Sequence, residues 1–385
     1  MLSEKSRPVI QATLPLVGSR ISEITADFYK RLFAAHPELL DGLFSRSNQR
    51  SGEQQQALAG SIAAFATHLV NNPGTLPEKV LSRIAHKHAS LGIKEEQYGV
   101  VYEHLFAAIA ADLADVITPE IAEAWTEVYW LMADALIKLE KDLYAAQANT
   151  RMWMPWRVIA KEAAGKASMT FTLEPADDTP VTAAKPGQYI SVKVRVADGL
   201  RQVRQYSLSG DAGTSRSFTT KLNDDGEVSS ALHADVEPGD ILEISNPYGE
   251  ITLKDGHGPV VLASAGIGCT PTASILRSLA DAGTERDVLV LHAERSMDSW
   301  ALSGQMTADA AKIDADLLLW LETPQPGAKE GFMSLREVDL PADASLYLCG
   351  PLPFMKKIRD EAIEAGIPAT RIHYEVFGPD VWLAS

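Results

Sequence analysis

Through residues 2–149, apolar residues recur three and four positions apart, the spacing that puts them on one face of an α-helix. Proline and glycine fall where such helices would start and stop. Thr75-Leu76-Pro77-Glu78 predicts a capping box, and Gly92 a helix end. From 156 to about 254 the pattern changes to short alternating runs, such as 189–194 and 241–244. Pro186-Gly187, Asp225-Gly226 and Pro238-Gly239 break these runs, which predicts an antiparallel sheet or barrel. From 259 onward, continuous apolar strands at 260–263, 288–291 and 346–348 alternate with helical segments, the signature of a parallel α/β sheet. The expectation is a multidomain chain: an all-α domain over 1–147, an antiparallel β-barrel over 151–256 and an α/β parallel-sheet domain over 257–385. Hinges are expected at 145–154 and 255–258.

Several polar residues interrupt the apolar helix faces. Leu81, Ile84 and His88 share a face, whereas His86 points about 200° away from His88. Tyr29 flanks the stripe of Ile24, Phe28 and Leu32. Gln54 lies in line with Leu58, Ile62 and Phe65, and Glu140 with Met132, Leu136 and Leu143. Tyr98 begins the stripe Val101, Tyr102, Leu105, Ile109. An unpaired buried amide costs roughly 1–3 kcal/mol, so each such residue needs a partner or a route to water. One of them alone reads as a satisfied core histidine or a rim residue. Together they predict a pocket around something with polar requirements.

Composition narrows the classes. The chain has 46% apolar and 22% charged residues, which excludes wholesale disorder. Asp and Glu outnumber Lys and Arg 51 to 35, a net charge of −16, with no basic run, so a nucleic-acid partner is not expected. The two cysteines, Cys269 and Cys349, are too few for a disulfide framework, a four-cysteine zinc site or a cysteine-ligated iron–sulfur cluster. The start, Met1-Leu2-Ser3-Glu4-Lys5, lacks a signal-peptide pattern. No apolar run reaches the roughly 18 residues of a membrane span. A cytoplasmic, soluble protein is expected.

The helical third resembles the globin of the flavohaemoglobin family. The resemblance is carried by Phe28-Tyr29, Pro37-Glu38-Leu39, Phe44, Ser47-Asn48-Gln49-Arg50, Gln54, Lys87-His88 and Glu95-Glu96-Gln97-Tyr98. It implies haem b, with His88 as the proximal metal ligand. Tyr29 and Gln54 would stand over the oxygen site, and Phe44 would pack on the porphyrin beside Lys87. Tyr98 and Glu140 would hold the His88 imidazole and make it more electron-rich. Leu91 departs from the family, which often has an aromatic there. His86 is the competing ligand, and helix geometry disfavours it.

The middle third resembles ferredoxin-reductase-like FAD barrels. Arg204-Gln205-Tyr206-Ser207-Leu208 follows Pro186-Gly187-Gln188-Tyr189 and precedes Gly226-Glu227-Val228-Ser229, in that family's order. The likeness implies Arg204 on the flavin pyrophosphate, Tyr206 on the isoalloxazine, Ser207 near N5 and Tyr189 close by. Val228 and Ser229 would open a helix whose N–H groups meet the pyrophosphate. Gly266-Ile267-Gly268-Cys269-Thr270-Pro271 follows a strand, as in the family's NADH or NADPH domain, and Cys349-Gly350 would lie beside the nicotinamide. Both cysteines read equally as buried thiols. Glu375-Val376-Phe377-Gly378-Pro379 resembles the terminal segment that covers the flavin. Glu294 suits the ribose 2′-hydroxyl of NAD, while Arg295 and Ser296 suit a 2′-phosphate, with a slight balance toward NADH.

Taken together, the resemblance implies a nitric oxide dioxygenase. It would convert nitric oxide and dioxygen to nitrate with NAD(P)H electrons passed through FAD to haem, as a monomer acting on small molecules. The alternative is a haem-based oxygen or nitric oxide binder or sensor with an attached ferric-haem reductase.

Overall fold

Residues 1–210 and 215–379 are described by a computed structural model. The last six residues of the expected third domain lie outside the described part. Cα proximity divides the chain into two units: Met1–Met152 with Asp198–Val203 and the chain from Gly378, and Trp153–Ala197 with Arg204–Phe377.

Six helices build the first unit: α1 (Ser6–Ala35), α2 (Arg46–Ser51), α3 (Glu53–Asn71), α4 (Glu78–Leu91), α5 (Glu95–Asp112) and α6 (Pro119–Ala145). Their ends follow local chemistry. The Ser45 hydroxyl accepts from the Asn48 N–H and caps α2, and Thr118 caps α6 ahead of Pro119. Gly92 ends α4 with φ +75°, a left-handed conformation that glycine adopts without a Cβ clash. The expected capping box at 75–78 does not form. A non-helical backbone at Pro77 (φ −77°, ψ 76°) delays the helix to Glu78, and the Thr75 hydroxyl contacts the Asn72 carbonyl and His68 Nε2 instead. Ile10, Ile24, Phe28, Leu32 and Phe65 are almost wholly buried in the core. Segment 198–203 is stitched to the same unit: the Gly42 N–H donates to the Arg201 carbonyl at 2.8 Å, and Arg201 pairs with Asp41 at 2.7 Å.

The second unit holds two six-stranded sheets. β1 (Met154–Gly165), β2 (Ser168–Pro175), β3 (Tyr189–Arg195), β4 (Arg201–Ser207), β5 (Arg216–Lys221) and β6 (Ile241–Ile244) form the first, in the order β4-β3-β6-β1-β2-β5. An antiparallel bridge from Leu208 to Phe218 joins its two ends into a barrel, which leaves few unpaired edges. Trp156, Phe171, Ile190 and Phe218 fill the interior, and α7 (Glu227–Asp235) buries Val228 and Leu232 against them.

The second sheet is parallel. It contains β7 (Val260–Ala265), β8 (Val288–Glu294), β9 (Asp316–Leu321), β10 (Lys329–Glu330), β11 (Ser345–Cys349) and β12 (Ile372–Glu375). Its order is β10-β9-β8-β7-β11-β12, with α8 (Cys269–Asp281), α9 (Ser303–Lys312) and α10 (Leu352–Glu364) as connections. Successive strands run outward from β7 to one edge, and β11 and β12 take the other side. The ends of β7 and β11 therefore form the switch point where open α/β sheets bind ligands. The three-part fold class expected from the sequence is borne out.

Candidate functional site

A cavity of about 480 Å³ opens inside the helical unit. Its wall is mostly apolar: Phe28, Phe44, Ile62, Val101 and Leu136 contribute, with Phe44 edge-on to Tyr29 at 5.9 Å between ring centres. α1 and α3 bring Tyr29 and Gln54 to the wall, where the two side chains hydrogen-bond. Burial pushes the Tyr29 phenol far above the usual tyrosine range, so the hydroxyl keeps its proton.

α4, α5 and α6 supply the other polar group. His88 Nδ1 lies 2.8 Å from Glu140 Oε1 and 3.0 Å from Tyr98 Oη, and the Tyr98 hydroxyl donates to the same Glu140 oxygen at 2.6 Å. Glu140 is only 2% exposed, so its carboxylate depends on these two donors. Burial first, and Glu140 second, hold the Tyr98 phenol protonated. The carboxylate fixes the proton on Nδ1 and leaves Nε2 as the lone-pair nitrogen. Tyr129 steadies the array by donating to the Tyr98 carbonyl at 2.6 Å.

The cavity fits a porphyrin. It offers an apolar slot, one oriented imidazole, and positive charge from Arg83 and Lys87 in its wall for two propionates. Sequence reasoning passed over Arg83, although its spacing of four from Lys87 puts the two on one helix face. The Lys87 ammonium also donates to the Gly378 carbonyl, and Pro379 lines the cavity. His86 is absent from the cavity wall.

In the barrel, Arg204, Gln205, Tyr206 and Ser207 follow one another on β4. Tyr206 stacks on Phe218 at 5.1 Å, and Phe218 on Phe171 at 5.3 Å, an aromatic column across three strands. The Ser207 hydroxyl is buried and lacks a hydrogen-bond partner. A buried unsatisfied hydroxyl beside an arginine and an aromatic face suits a flavin, which brings acceptors and a flat ring. Gln205 instead donates to Ser191 Oγ at 3.0 Å, within the sheet. Tyr189 is buried and pairs with Tyr248 by backbone bonds. Gly226 caps α7, and the Ser229 hydroxyl turns back to the Gly226 and Asn223 carbonyls. Val228 is in the barrel core, so only its backbone can reach a ligand.

At the switch point, Gly266 adopts φ +53°, Ile267 and Gly268 complete one 3-10 turn, and α8 starts at Cys269. A Cβ on Gly268 would lie 2.5 Å from the Cys349 carbonyl oxygen, so only glycine permits this approach of the two strand ends. Thr270 donates to the Ile267 carbonyl, and Pro271 sits in the first turn of α8. The resulting turn offers backbone N–H groups at a helix N-terminus, suited to a pyrophosphate.

Both cysteines are buried thiols. Burial pushes the Cys269 thiol up to about 12, and it donates to the Ala301 carbonyl; burial and Glu375 also raise the thiol of Cys349, which precedes Gly350. Glu375 pairs in register with Cys349 and is followed by Val376 and the half-exposed Phe377.

His292, fully buried on β8, stacks on Trp300 at 5.1 Å and shares a 2.9 Å hydrogen bond with Ser264. Desolvation, with Lys221 adding to it, pushes the imidazole down to about 3. The unfolded ring titrates near 6.5. Between these values the unfolded chain binds the extra proton, so acid destabilises the folded state. Going from pH 8 to pH 5.5 should cost on the order of 1 kcal/mol, and His292→Gln should remove that loss. Urea unfolding at the two pH values measures it.

Residues 26–136 match the Globin family, and residues 155–253 match the oxidoreductase FAD-binding domain family. The Flavohemoprotein of Rhizobium meliloti (strain 1021) is 39% identical, covering 99% of this chain and 100% of that one. The Flavohemoprotein of Chromobacterium violaceum is 40% identical over 98% of each. A crystal structure of flavohemoglobin from Malassezia yamatoensis, with bound FAD and heme, superposes with TM-score 0.94 at 45% identity, covering 98% of this chain and 100% of that one. The FAD/NAD-binding domain of a nitric oxide dioxygenase from Vibrio cholerae O1 biovar El Tor is 33% identical, with TM-score 0.57, over 60% of this chain and 100% of its own. With a globin pocket, an FAD barrel and a parallel nucleotide-type sheet in one polypeptide, matched along nearly its full length, the chain belongs to the flavohemoprotein family.

Proposed function

We propose that this protein is a nitric oxide dioxygenase. Per reduced nucleotide, two nitric oxide and two dioxygen molecules would give two nitrates, one proton and the oxidised nucleotide. The observation that carries the reading is the His88–Glu140–Tyr98 array beside a cavity that also holds a protonated, Gln54-bonded Tyr29. When bound, haem supplies an iron that takes dioxygen, and FAD splits a two-electron hydride into single electrons. His88 would hold the haem iron, and the Glu140 carboxylate at 2.8 Å from Nδ1 would strengthen that donor. Arg83 and Lys87 neutralise the propionates. Tyr29 would offer its hydroxyl as a hydrogen-bond donor into the cavity where a gas ligand would sit, and Gln54 would orient that hydroxyl. Arg204 pairs with the flavin pyrophosphate, Tyr206 covers its ring and Ser207 gains the partner it lacks. Gly266 and Gly268 let backbone N–H groups reach the nucleotide. A cytoplasmic location, where reduced pyridine nucleotide is supplied, is part of this proposal.

The test is rapid mixing of the reduced, oxygenated full-length protein with nitric oxide. Stoichiometric nitrate within milliseconds supports the reading. Gas binding with slow or no nitrate overturns it in favour of a binder with a haem reductase. Tyr29→Phe should release oxygen about 10–100 times faster, the worth of one charge-assisted hydrogen bond. Oxygen dissociation followed by flash photolysis checks this, and an unchanged rate removes Tyr29 from its role.

A further inference from the structure

We infer that Gln202 and Arg201, at the start of β4, are positioning residues for the gas cavity. They staple the loop that carries Leu43 and Phe44 into its wall, and so set how long a diatomic ligand stays beside Tyr29. The inference deepens the reading above, since it needs the cavity to hold a gas.

Residues 41–45 lie between a 3-10 turn (Pro37–Leu40) and α2 and belong to neither helix nor strand. Leu43 and Phe44 from this loop line the cavity. Phe44 stands edge-on to Tyr29 at 5.9 Å and to Phe33 at 5.3 Å, so it closes one side and props the Tyr29 ring. The loop does little to hold itself. The Phe44 N–H donates to the Leu39 carbonyl at 3.0 Å, and Gly42 turns the chain at φ +87°.

The rest of the fixation comes from Asp198–Val203, which belongs to the helical unit although Arg201 is 160 positions from Asp41. The Gln202 side chain is fully buried. Its amide nitrogen donates to the Leu40 carbonyl at 3.0 Å, and its oxygen accepts the Arg46 N–H at 3.2 Å. Leu40 and Arg46 flank residues 41–45, so one amide pins both ends of the loop. Between them, the Asp41 carboxylate accepts from the Arg201 backbone N–H and from its guanidinium, each at 2.7 Å. The Arg201–Asp41 pair is partly exposed, at 45% and 32%, and contributes less than the buried amide, whose partners have no water to replace it.

Release of a ligand past Phe44 requires the loop to open, so weakening the staple raises the open fraction and the release rate together. β4 runs on into Arg204–Ser207, and Gln202 precedes Arg204 by about 7 Å of strand. Those residues have anchors of their own: Gln205 donates to Ser191 Oγ at 3.0 Å, and Leu208 bridges to Phe218. Cutting the staple should therefore loosen the gas wall and leave the flavin residues in place.

The experiment is flash photolysis and infrared spectroscopy of the ferrous full chain, loaded with haem and FAD, with dioxygen and carbon monoxide as probes. Gln202→Leu keeps most of the volume and removes both hydrogen bonds. It should release dioxygen about tenfold faster, let more photolysed carbon monoxide escape, and broaden or split the C–O stretching band. Flavin reduction by NADH should stay within twofold of the parent. Asp41→Arg should speed release about threefold, and adding Arg201→Asp should bring it back toward the parent. This partly exposed pair carries the test if Gln202→Leu does not fold. Parental release and a parental C–O band in Gln202→Leu overturn the inference, as does parental release in Asp41→Arg. A matching loss of flavin reduction also overturns it, because β4 as a whole has then moved. Nitrate is not measured here. A chain that shows these gas kinetics but forms no nitrate refutes the dioxygenase reading and leaves the staple standing.

Discussion

Replacing His88 by alanine should give a chain that folds, holds FAD and is reduced by NADH, but purifies without the Soret band and forms nitrate at less than about one-hundredth of the parent rate. Among the described cavity-lining residues, His88 is the imidazole anchored by a buried carboxylate, through the 2.8 Å contact of its Nδ1 to Glu140. Removing it takes away the proposed metal ligand, and since losing only an outer-shell partner of such a ligand costs about 10–100-fold, losing the ligand itself should cost more. His86 offers no substitute, since it lies about 200° around α4. The substitution also strips Glu140 of one of its two donors, leaving Tyr98 Oη at 2.6 Å. Some destabilisation of the helical unit follows. Free imidazole separates that effect from ligand loss, because it fills the vacated volume and restores both donor and ligand. Recovery of the Soret band with imidazole is the expected result. A variant that keeps its haem without added imidazole removes His88 from the ligand position.

The sequence makes parts of this arrangement legible and hides others for physical reasons. Glu140 stands out because a carboxylate in line with Leu136 on an apolar face demands a partner, and periodicity shows that much. Which partner it finds depends on how α4, α5 and α6 pack, and helical spacing says nothing about that. The strand run at β11 and the glycine turn after β7 are readable from composition. β9 is harder, since its short apolar run, Leu317-Leu318-Leu319-Trp320-Leu321, fits a buried helix segment as well as a strand. Thr75 shows the opposite failure: the right residues for a capping box stand there, and Pro77 sets a backbone that moves the helix start out of their reach. Glu294 is visible as a residue type, but only the strand order sets it beside the Gly266 turn, because β7 and β8 pair as neighbours.

Gly268→Ala should reduce NADH-driven flavin reduction by at least about 100-fold while leaving oxygen binding in the helical unit unchanged. The added Cβ would stand 2.5 Å from the Cys349 oxygen, 2.6 Å from its carbonyl carbon and 2.7 Å from the Gly350 nitrogen. All three are backbone atoms, so no rotamer change relieves the contact, and the β7 turn or the end of β11 must move. Either shift displaces the N–H groups proposed to face the pyrophosphate and the strand end proposed to flank the nicotinamide. A misplacement of about 1 Å at such a site costs on the order of 100-fold. The overpacking should also lower the stability of the second unit by about 1–3 kcal/mol. Gly266→Ala is the informative contrast. Gly266 has φ +53°, which costs a non-glycine residue about 1–2 kcal/mol, yet its Cβ would meet only Glu294 Oε2 at 3.9 Å. That variant should be strained without a clash and lose less than about tenfold. Anaerobic stopped-flow at the flavin band measures both. If Gly268→Ala reduces its flavin at near the parental rate, the close approach of the two strand ends does not position the nucleotide. If Gly266→Ala is the worse of the two, conformational strain outweighs steric contact at this turn.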